Sequence, residues 1–564
     1  MKINVFIKTY WVQLCLFLLV FLAAFLRFYR ITEVPVSIYW DEAAFSYNSY
    51  SILKTGRDEY GTFMPILFRS YDDYKMPANI YLSVIPIALF GLNEFATRFT
   101  SAFAGISDVV LTFFLVNELL LLEEKGTGIL QKYRTPISLL IVFFLAIAPW
   151  AIQYSRTEFE ANIGTPFVIG GIIIFLVALR KKKITLLFFS MFLFAVSVYF
   201  YRSIVVFAPL ILIALLIIFH KELLQKKKTV FLAVLFFLIV SFPMYKALAT
   251  PQGSIRANQV SVFDNAQQAV YSASVDLEKH PTFMNKIIDN RRVIYAEMIV
   301  QGYFANFSWD FLFTKGDPQG RQSTSGMGML YLWEFPFVLV GLYVVFWKLP
   351  KKAKWVVLSW MLLAPIPAAI SVPNPHALRI LNVLPIPQLI TGLGVAWIFF
   401  LLQGKWRIIF VMCLLCIVIG FFSKYLYLYY GPSARGTSAD FADGYKELLQ
   451  YVFPVQNKYG KIIISGHYWK PYMYVLYYSK YDPSQYQKNG HWYGFGKYLF
   501  GGTSWGAGEH ELDYIDLKKM AGGVHNVLIA LSPSEYEHQK SNVRVLKKIY
   551  NHNGDLVFIV GDKL

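Results

Sequence analysis

Met76-Pro77-Ala78-Asn79-Ile80-Tyr81-Leu82-Ser83-Val84-Ile85-Pro86-Ile87-Ala88-Leu89-Phe90-Gly91 decides how often this chain crosses a membrane. As a helix it would reach about 24 Å against a hydrocarbon core of about 30 Å, and two prolines interrupt it. Working outward, apolar stretches of crossing length lie near 11–28, 95–122, 136–154, 162–179, 184–201, 203–219, 229–247, 329–347, 355–372, 378–402 and 408–428. They number eleven without 76–91 and twelve with it.

Charge separates the two counts. Basic clusters precede the first span (Lys2, Lys8) and fill the loops Lys125/Lys132/Arg134, Arg180–Lys183, Lys221/Lys226–Lys228, Lys348/Lys351/Lys352/Lys354 and Lys405/Arg407. With eleven spans all six clusters face one side; a twelfth crossing at 76–91 strands the later ones outside and breaks the positive-inside rule. The segment 76–91 is therefore expected as a helix in or dipping into the outer interface. Nineteen Lys and Arg then lie inside against Glu123, Glu124 and Glu222, a net of +16 out of the chain's +18.

Composition agrees. Of 564 residues, 56% are hydrophobic and 18% aromatic, and only 16% are charged, against about a quarter in soluble domains. A soluble globular enzyme is excluded. Because the basic excess is topological, no basic stripe is left for nucleic acid. Cys15, Cys413 and Cys416 all sit in apolar runs, so neither a disulfide framework nor a metal knuckle is written here. Trp11–Leu26 runs into Arg27-Phe28-Tyr29-Arg30 without a small-residue cleavage site, so the first span is expected to be retained.

The expectation is a polytopic α-helical membrane protein of about eleven transmembrane helices with outer interfacial helices. A transmembrane domain, 1–430, carries the outer loops 29–94 and 248–328 and the short outer turns 155–161 and 373–377. A small extracytoplasmic α/β domain, 431–564, follows. Its strand-like runs are Lys461–Ser465, Asn526–Leu531, Val543–Tyr550 and Leu556–Val560.

In the first outer loop, Asp41 and Glu42 open an amphipathic stretch, 42–54, which as an interfacial helix would hold Asp41 at the membrane surface. Asp41 could equally be that helix's N-cap. Lys75, Arg98, Arg156, Arg202 and Arg379 lie at outer span ends or in outer loops, where they could either meet an anion or snorkel to lipid phosphate. Glu158 and Glu160 open the fourth span, where carboxylates also favour a helix N-terminus. His376 sits in an outer turn between Pro375 and Arg379. Six of the nine histidines are in the tail, His467, His491 and His510 among them, yet none has ligand spacing, so no zinc site is expected. Tyr468, Trp469, Tyr472, Tyr474, Trp492, Tyr493 and Trp505 crowd the tail, where aromatic rings serve sugar stacking and packing alike.

The ordered series Asp41-Glu42, Lys75-Met76-Pro77, Phe90-Gly91 and Arg98 closely resembles the first outer loop of the GT-C integral-membrane glycosyltransferases. The match is to the branch of protein O-mannosyltransferases and the lipid A aminoarabinose transferase. Tyr154-Ser155-Arg156-Thr157-Glu158-Phe159-Glu160 resembles the segment carrying that family's next acid, Glu160 lying closer to it. The likeness is good over about 1–220 and extends in kind to Pro375-His376-Ala377-Leu378-Arg379. Met76 replaces one proline, and Ala44 stands where the aminoarabinose enzymes have an Arg, which points away from that sugar. The tail does not match the mannosyltransferases' lectin-like inserted domain.

The resemblance implies transfer of a sugar from a polyprenyl-phosphate donor to an acceptor hydroxyl of a protein, lipid or glycan at the outer face of a cell membrane. Asp41 would act as base. Glu42 would position the acceptor or hold a divalent cation, Mg or Mn. Phosphate leaves without needing an acid, unlike the leaving group of a glycoside hydrolase, so cations matter instead: Lys75, Arg98, Arg156, Arg202 and Arg379. Glu158, Glu160 and His376 are candidates for acceptor contact or a second acid. Direct displacement implies inversion. Two rivals stand beside it: a transporter or flippase, kept in view by Glu334 and the Pro385/Pro387 span, and a membrane scaffold whose tail binds glycans.

Overall fold

The computed structural model describes residues 2–71, 73–122, 128–279, 282–468, 470–501, 517–524 and 526–563. Glu123, Glu124, Lys125, Trp469, Trp505 and His510, all weighed above, lie outside the described residues. The chain packs as two compact units: Met1–Tyr29 with Ser101–Tyr429, and Arg30–Thr100 with Tyr430–Leu564. The division near 430 is where composition changes. Grouping of the first outer loop with the tail is not what a 1–430 transmembrane domain anticipates.

Among the described residues every one of the eleven expected stretches contains a helix, but six are long and apolar enough to cross a membrane by themselves. They are Tyr10–Phe28 within α1 (Lys2–Phe28), Glu94–Leu120 (numbered α4 below), Glu160–Arg180, Lys227–Leu248, Leu381–Leu401 and Lys405–Gly436. The stretch expected at 136–154 is two helices, Arg134–Ile147 and Pro149–Ser155, bent by 57°. Pro149 lacks the N–H that would continue the ladder and restricts the residue before it. Leu186–Ser197, Arg202–Ile218 and Glu334–Trp347 are shorter. Pro365 and Pro367 likewise cut the stretch at 355–372 to Lys351–Leu363 and a short turn of helix.

Contacts inside the first unit join segments assigned by charge to the same side. Arg180 pairs with Glu118 at 2.6 Å and Lys352 pairs with Glu222, all at ends expected to lie inside. At ends expected to lie outside, Arg202 Nη1 donates to the Gly253 carbonyl at 2.8 Å, and Val372 N–H donates to Val260 O at 2.7 Å. Gly105 is required for close approach: a Cβ there would lie 2.0 Å from Ser155 Oγ and 2.8 Å from Arg27 Nε.

The second unit begins with α2 (Trp40–Thr55), ended by Gly56 at φ 68°, a left-handed cap that glycine adopts without strain. A hairpin of β1 (Phe68–Ser70) and β2 (Asp73–Lys75) follows, then α3 (Pro77–Phe90) and the start of α4 (Glu94–Leu120). The stretch 76–91 is thus a 14-residue helix with Pro77 at its first position, where a missing N–H costs nothing. Phe45, Phe68 and Ile80 pack together, and Ser49 Oγ donates to Ile80 O at 2.8 Å, so the hairpin is held between α2 and α3.

The tail contributes a six-stranded mixed sheet in the order β4-β5-β3-β6-β8-β7, comprising β3 (Lys461–Ser465), β4 (Gly494–Phe495), β5 (Tyr498–Gly501), β6 (Val527–Leu531), β7 (Val543–Tyr550) and β8 (Leu556–Lys563). The four expected strands are present; β4 and β5 were not anticipated, because Gly494, Gly496 and Gly501 interrupt the alternation. One face packs on helices Tyr445–Val455 and Pro471–Ser479 and continues into Ile38, Ala43, Ala44 and Tyr47 of the first loop, forming one core. Tyr47 Oη donates to Tyr481 O (3.1 Å), Thr97 Oγ1 and Tyr477 Oη lie 2.8 Å apart, and Lys446 pairs with Glu94 (2.8 Å). Tyr472 and Tyr474 are fully buried in this core.

Candidate active site

The first turn of α2 carries both expected acids, and they have different fates. Asp41 is partly exposed, with Oδ1 3.0 Å from Lys75 Nζ, while Lys75 also lies 3.2 Å from Asp73 Oδ2. The hairpin delivers Lys75 and Asp73 together because residues two apart on a strand share a face. Asp73 is the member that sequence reading missed; the Asp-x-Lys spacing entering Pro77 was the available signal. The N-cap of α2 is Tyr39, not Asp41. Its N–H donates to Glu42 Oε2 at 3.1 Å, so Glu42 and not Asp41 caps the helix start.

Glu42 and Arg98 form a fully buried pair, with Nε–Oε1 3.0 Å and Nη2–Oε2 3.2 Å. Arg98 also donates from Nη1 to the carbonyls of Ile31 (2.7 Å) and Pro35 (3.0 Å) and from Nη2 to that of Ser37 (2.5 Å). These bonds occupy all five guanidinium N–H groups. Arg98 is therefore an anchor for segment 31–42 and not a phosphate contact. Glu42, enclosed by Arg98 and the Tyr39 N–H, does not fit a divalent cation. Among the described residues no three His, Cys, Asp or Glu side chains gather as metal ligands.

Behind this turn lies Glu59, 1% exposed, its N–H donating to Asn48 Oδ1 at 3.0 Å. Burial, reinforced by Asp58, pushes the Glu59 carboxyl well above the usual carboxylate range, although Arg69 works against it.

In the first unit, Arg156 caps the helix Pro149–Ser155 and is fully buried. It donates from Nη1 to the carbonyls of Leu26 (2.7 Å) and Arg27 (3.2 Å) and from Nε to Tyr429 Oη (3.1 Å). A cation on the last carbonyls of α1 is favoured by the helix dipole. Its role is packing, which removes the support for a phosphate contact. Glu158 is fully buried; Glu160 is partly buried as the first residue of Glu160–Arg180.

The outer turn 373–379 gathers a different set. Arg379, 8% exposed, donates from Nη1 to Ser371 Oγ (2.9 Å) and Pro373 O (3.3 Å). His376 Nδ1 lies 3.8 Å from Asp317 Oδ2, which accepts from Ala377 N–H at 2.6 Å. Burial pushes His376 well below its ordinary value, and Arg379, Arg321 and Arg256 push the same way. Burial raises the Asp317 carboxyl, while the Ala377 and Gln319 N–H groups, Arg321 and Arg379 hold it back. Three guanidinium groups facing one carboxylate and a neutral imidazole leave the cluster short of negative charge. Arg256, Arg321 and Asp317 come from loop 248–328, Arg256 from the helix Pro251–Val260 and the other two from the segment that follows Ala305. Arg202 is partly buried at the start of Arg202–Ile218.

Asp108 and Glu334, buried within apolar helices, each have a hydroxyl partner: Thr165 donates to Asp108, and Thr391 to Glu334 at 3.1 Å. Glu334 Oε1 also accepts from the Tyr331 N–H at 3.0 Å.

No family model matches this chain, and no curated protein does. Among solved structures, the archaeal oligosaccharyltransferase AglB from Archaeoglobus fulgidus, in complex with an inhibitory peptide and a dolichol-phosphate, is 13% identical with a TM-score of 0.50. That match covers 84% of this chain and 64% of AglB, so the chain spans less than two thirds of that protein's length. ArnT from Cupriavidus metallidurans in the apo state is 12% identical with a TM-score of 0.52, covering 98% of each chain. The chain has the GT-C fold, in an ArnT-like form.

Within this fold, the expected site residues divide by unit. Asp41, Glu42, Lys75 and Arg98 are gathered around the first turn of α2. Arg379 and His376 meet in the turn 373–379 of the transmembrane unit, while Arg156 is held at the end of α1. Of the five expected cations, Lys75, Arg202 and Arg379 remain candidates for anion contact.

Proposed function

We propose that this chain is a membrane glycosyltransferase that moves a sugar from a polyprenyl-phosphate donor to an acceptor hydroxyl on the outer face of a cell membrane. The observation that carries the reading is the Asp41–Lys75–Asp73 constellation beside the first turn of α2, a partly exposed carboxylate ion-paired with an ammonium that donates its hydrogen bond to a second carboxylate. In the reaction the acceptor oxygen bonds to the anomeric carbon as the bond to phosphate breaks. Asp41 takes the hydroxyl proton, polyprenyl phosphate departs, and the anomeric configuration inverts. Lys75 supplies positive charge to the leaving phosphate; Arg202 and the Arg256/Arg321/Arg379 cluster, each within the transmembrane unit, are separate candidates for anion contact.

The topology belonging to this reading has eleven crossings, basic loops in the cytoplasm, and the first loop and tail outside. The fold likeness to AglB, solved with a dolichol-phosphate, supports the donor class, and the ordered acids and lysine of the first loop support the chemistry. The acceptor is a hydroxyl of a protein, lipid or glycan.

The test compares cell-surface glycans and glycoproteins by mass spectrometry in cells with the gene, without it, and with Asp41→Asn. A sugar residue missing from both altered strains is expected. Its presence at the wild-type level with Asp41→Asn would remove the centre of the proposal.

A further inference from the structure

The carboxyl ends of the parallel strands β5, β3 and β6 form the edge at which open α/β sheets present their ligand crevices. The chain leaves β3 toward helices on one face and reaches β6 from the helix Leu517–Ala521 on the other, so the reversal of winding falls beside β3. The Gly466 N–H donates to Gly501 O at 2.7 Å and the Phe500 N–H to Tyr493 O at 3.0 Å. These bonds bring segment 491–493 to the carboxyl end of β5.

Three rings are ordered there. His491 stacks on Tyr493, 5.0 Å between centroids with planes 3° apart, and Trp492 stands at 83° to Tyr493 at 5.8 Å. Lys470, only 4% exposed, places Nζ 4.4 Å from the Trp492 centroid. A cation on one face fixes the indole's orientation. Trp492 is nevertheless 39% exposed and Tyr493 54%. Two flat rings are thus held at a right angle and still face solvent.

The neighbourhood is polar. Residues 488–497 read Lys-Asn-Gly-His-Trp-Tyr-Gly-Phe-Gly-Lys, and Phe495 is buried. No aliphatic side chain stands beside Trp492 and Tyr493 in this segment, whereas a surface that inserts into lipid joins aromatics to Leu, Ile or Val. Rings with a wet, hydrogen-bonding rim suit a ligand that is apolar on its flat faces and polar around its edge. A pyranose with equatorial hydroxyls is such a ligand: its axial C–H bonds lie against the negative face of an aromatic ring while its hydroxyls point outward.

We infer that Trp492 and Tyr493, oriented by Lys470 and His491, form a glycan-binding platform on the tail. It takes pyranose chains of all-equatorial configuration. Under the proposed function this platform holds the acceptor's glycan; binding itself does not depend on that reading.

The test titrates full-length protein in nanodiscs with cellotetraose and chitotetraose, using calorimetry and saturation-transfer NMR. At least one is expected to bind, Trp492→Ala to weaken it about 10-fold or more, and Trp492→Phe to retain most of it, with unchanged thermal unfolding in both variants. Asp41→Asn is expected to bind as wild type does, which separates the platform from the transfer chemistry. Binding of neither sugar, equal binding by Trp492→Ala, or a Trp492→Ala/Tyr493→Ala protein that loses only its affinity for phospholipid vesicles would each overturn the inference.

Discussion

Arg98 and Glu42 meet through two hydrogen bonds of 3.0 and 3.2 Å in a fully buried setting, and the remaining N–H groups of Arg98 hold the carbonyls of Ile31, Pro35 and Ser37. One arginine thus fixes the approach to α2 and the helix turn that carries Asp41. Breaking a buried pair leaves an uncompensated charge and costs about 3–5 kcal/mol. Arg98→Ala and Glu42→Ala are expected to unfold at markedly lower temperature in detergent, with faster hydrogen exchange over 31–42. A wild-type melting temperature for Arg98→Ala would contradict this.

Asp41 and Asp73 share Lys75 and should separate kinetically. Loss of a general base reduces turnover by about 100-fold or more, so Asp41→Asn is expected to lose at least that much in single-turnover transfer while melting normally. Asp73→Asn leaves Lys75 to Asp41 alone and should cost less. Equal losses would assign Asp73 to the chemistry.

The Arg256/Arg321/Arg379 cluster predicts an effect on the donor. A hydrogen bond to a charged group contributes about 1.5–3 kcal/mol, and about 1.4 kcal/mol is tenfold in affinity. Arg379→Gln and Arg321→Gln are each expected to raise donor KM about 10-fold or more, with acceptor KM unchanged. An effect on acceptor KM alone would move the cluster to the other substrate.

His376 is held neutral, below its ordinary value of 6.5, by burial and its arginine neighbours. The unfolded chain then binds the extra proton first as pH falls below about 6.5, so this group withdraws stability on acidification from there downward. His376→Gln should flatten the fall in melting temperature between pH 7 and pH 5 relative to wild type. Parallel curves would refute the assignment, since Asp317 is common to both proteins.

Glu59 has the opposite sign. Its carboxyl is raised above the ordinary 4.5 by burial, so its contribution is complete below that value and is lost as pH rises through the folded-state pKa. Glu59→Gln, which keeps the shape and cannot ionise, is expected to gain melting temperature over wild type at pH 8 and none at pH 4. A gain equal at both pH values would remove ionisation as the cause.

Much of the chemistry was legible along the chain because it depends on local order. Asp41-Glu42 before an amphipathic run and Lys75 before Pro77 need only their neighbours to be recognised, and both reach the first turn of α2. Asp73 escaped because a three-residue strand is too short to show its alternation. Arg98 was legible as important and misread in role: a charge at a span end looks the same in sequence whether it faces a phosphate or five internal acceptors.

By itself the sequence determined the membrane character, where the apolar stretches lie and the tail's main strands, because hydropathy, periodicity and proline act over a few residues. Tertiary structure alone decided which helices break, that the first loop shares a core with the tail, and that Arg256, Arg321 and Asp317 join Arg379. Those outcomes depend on which distant side chains bury one another, and a buried charge takes its role from the partners that burial supplies.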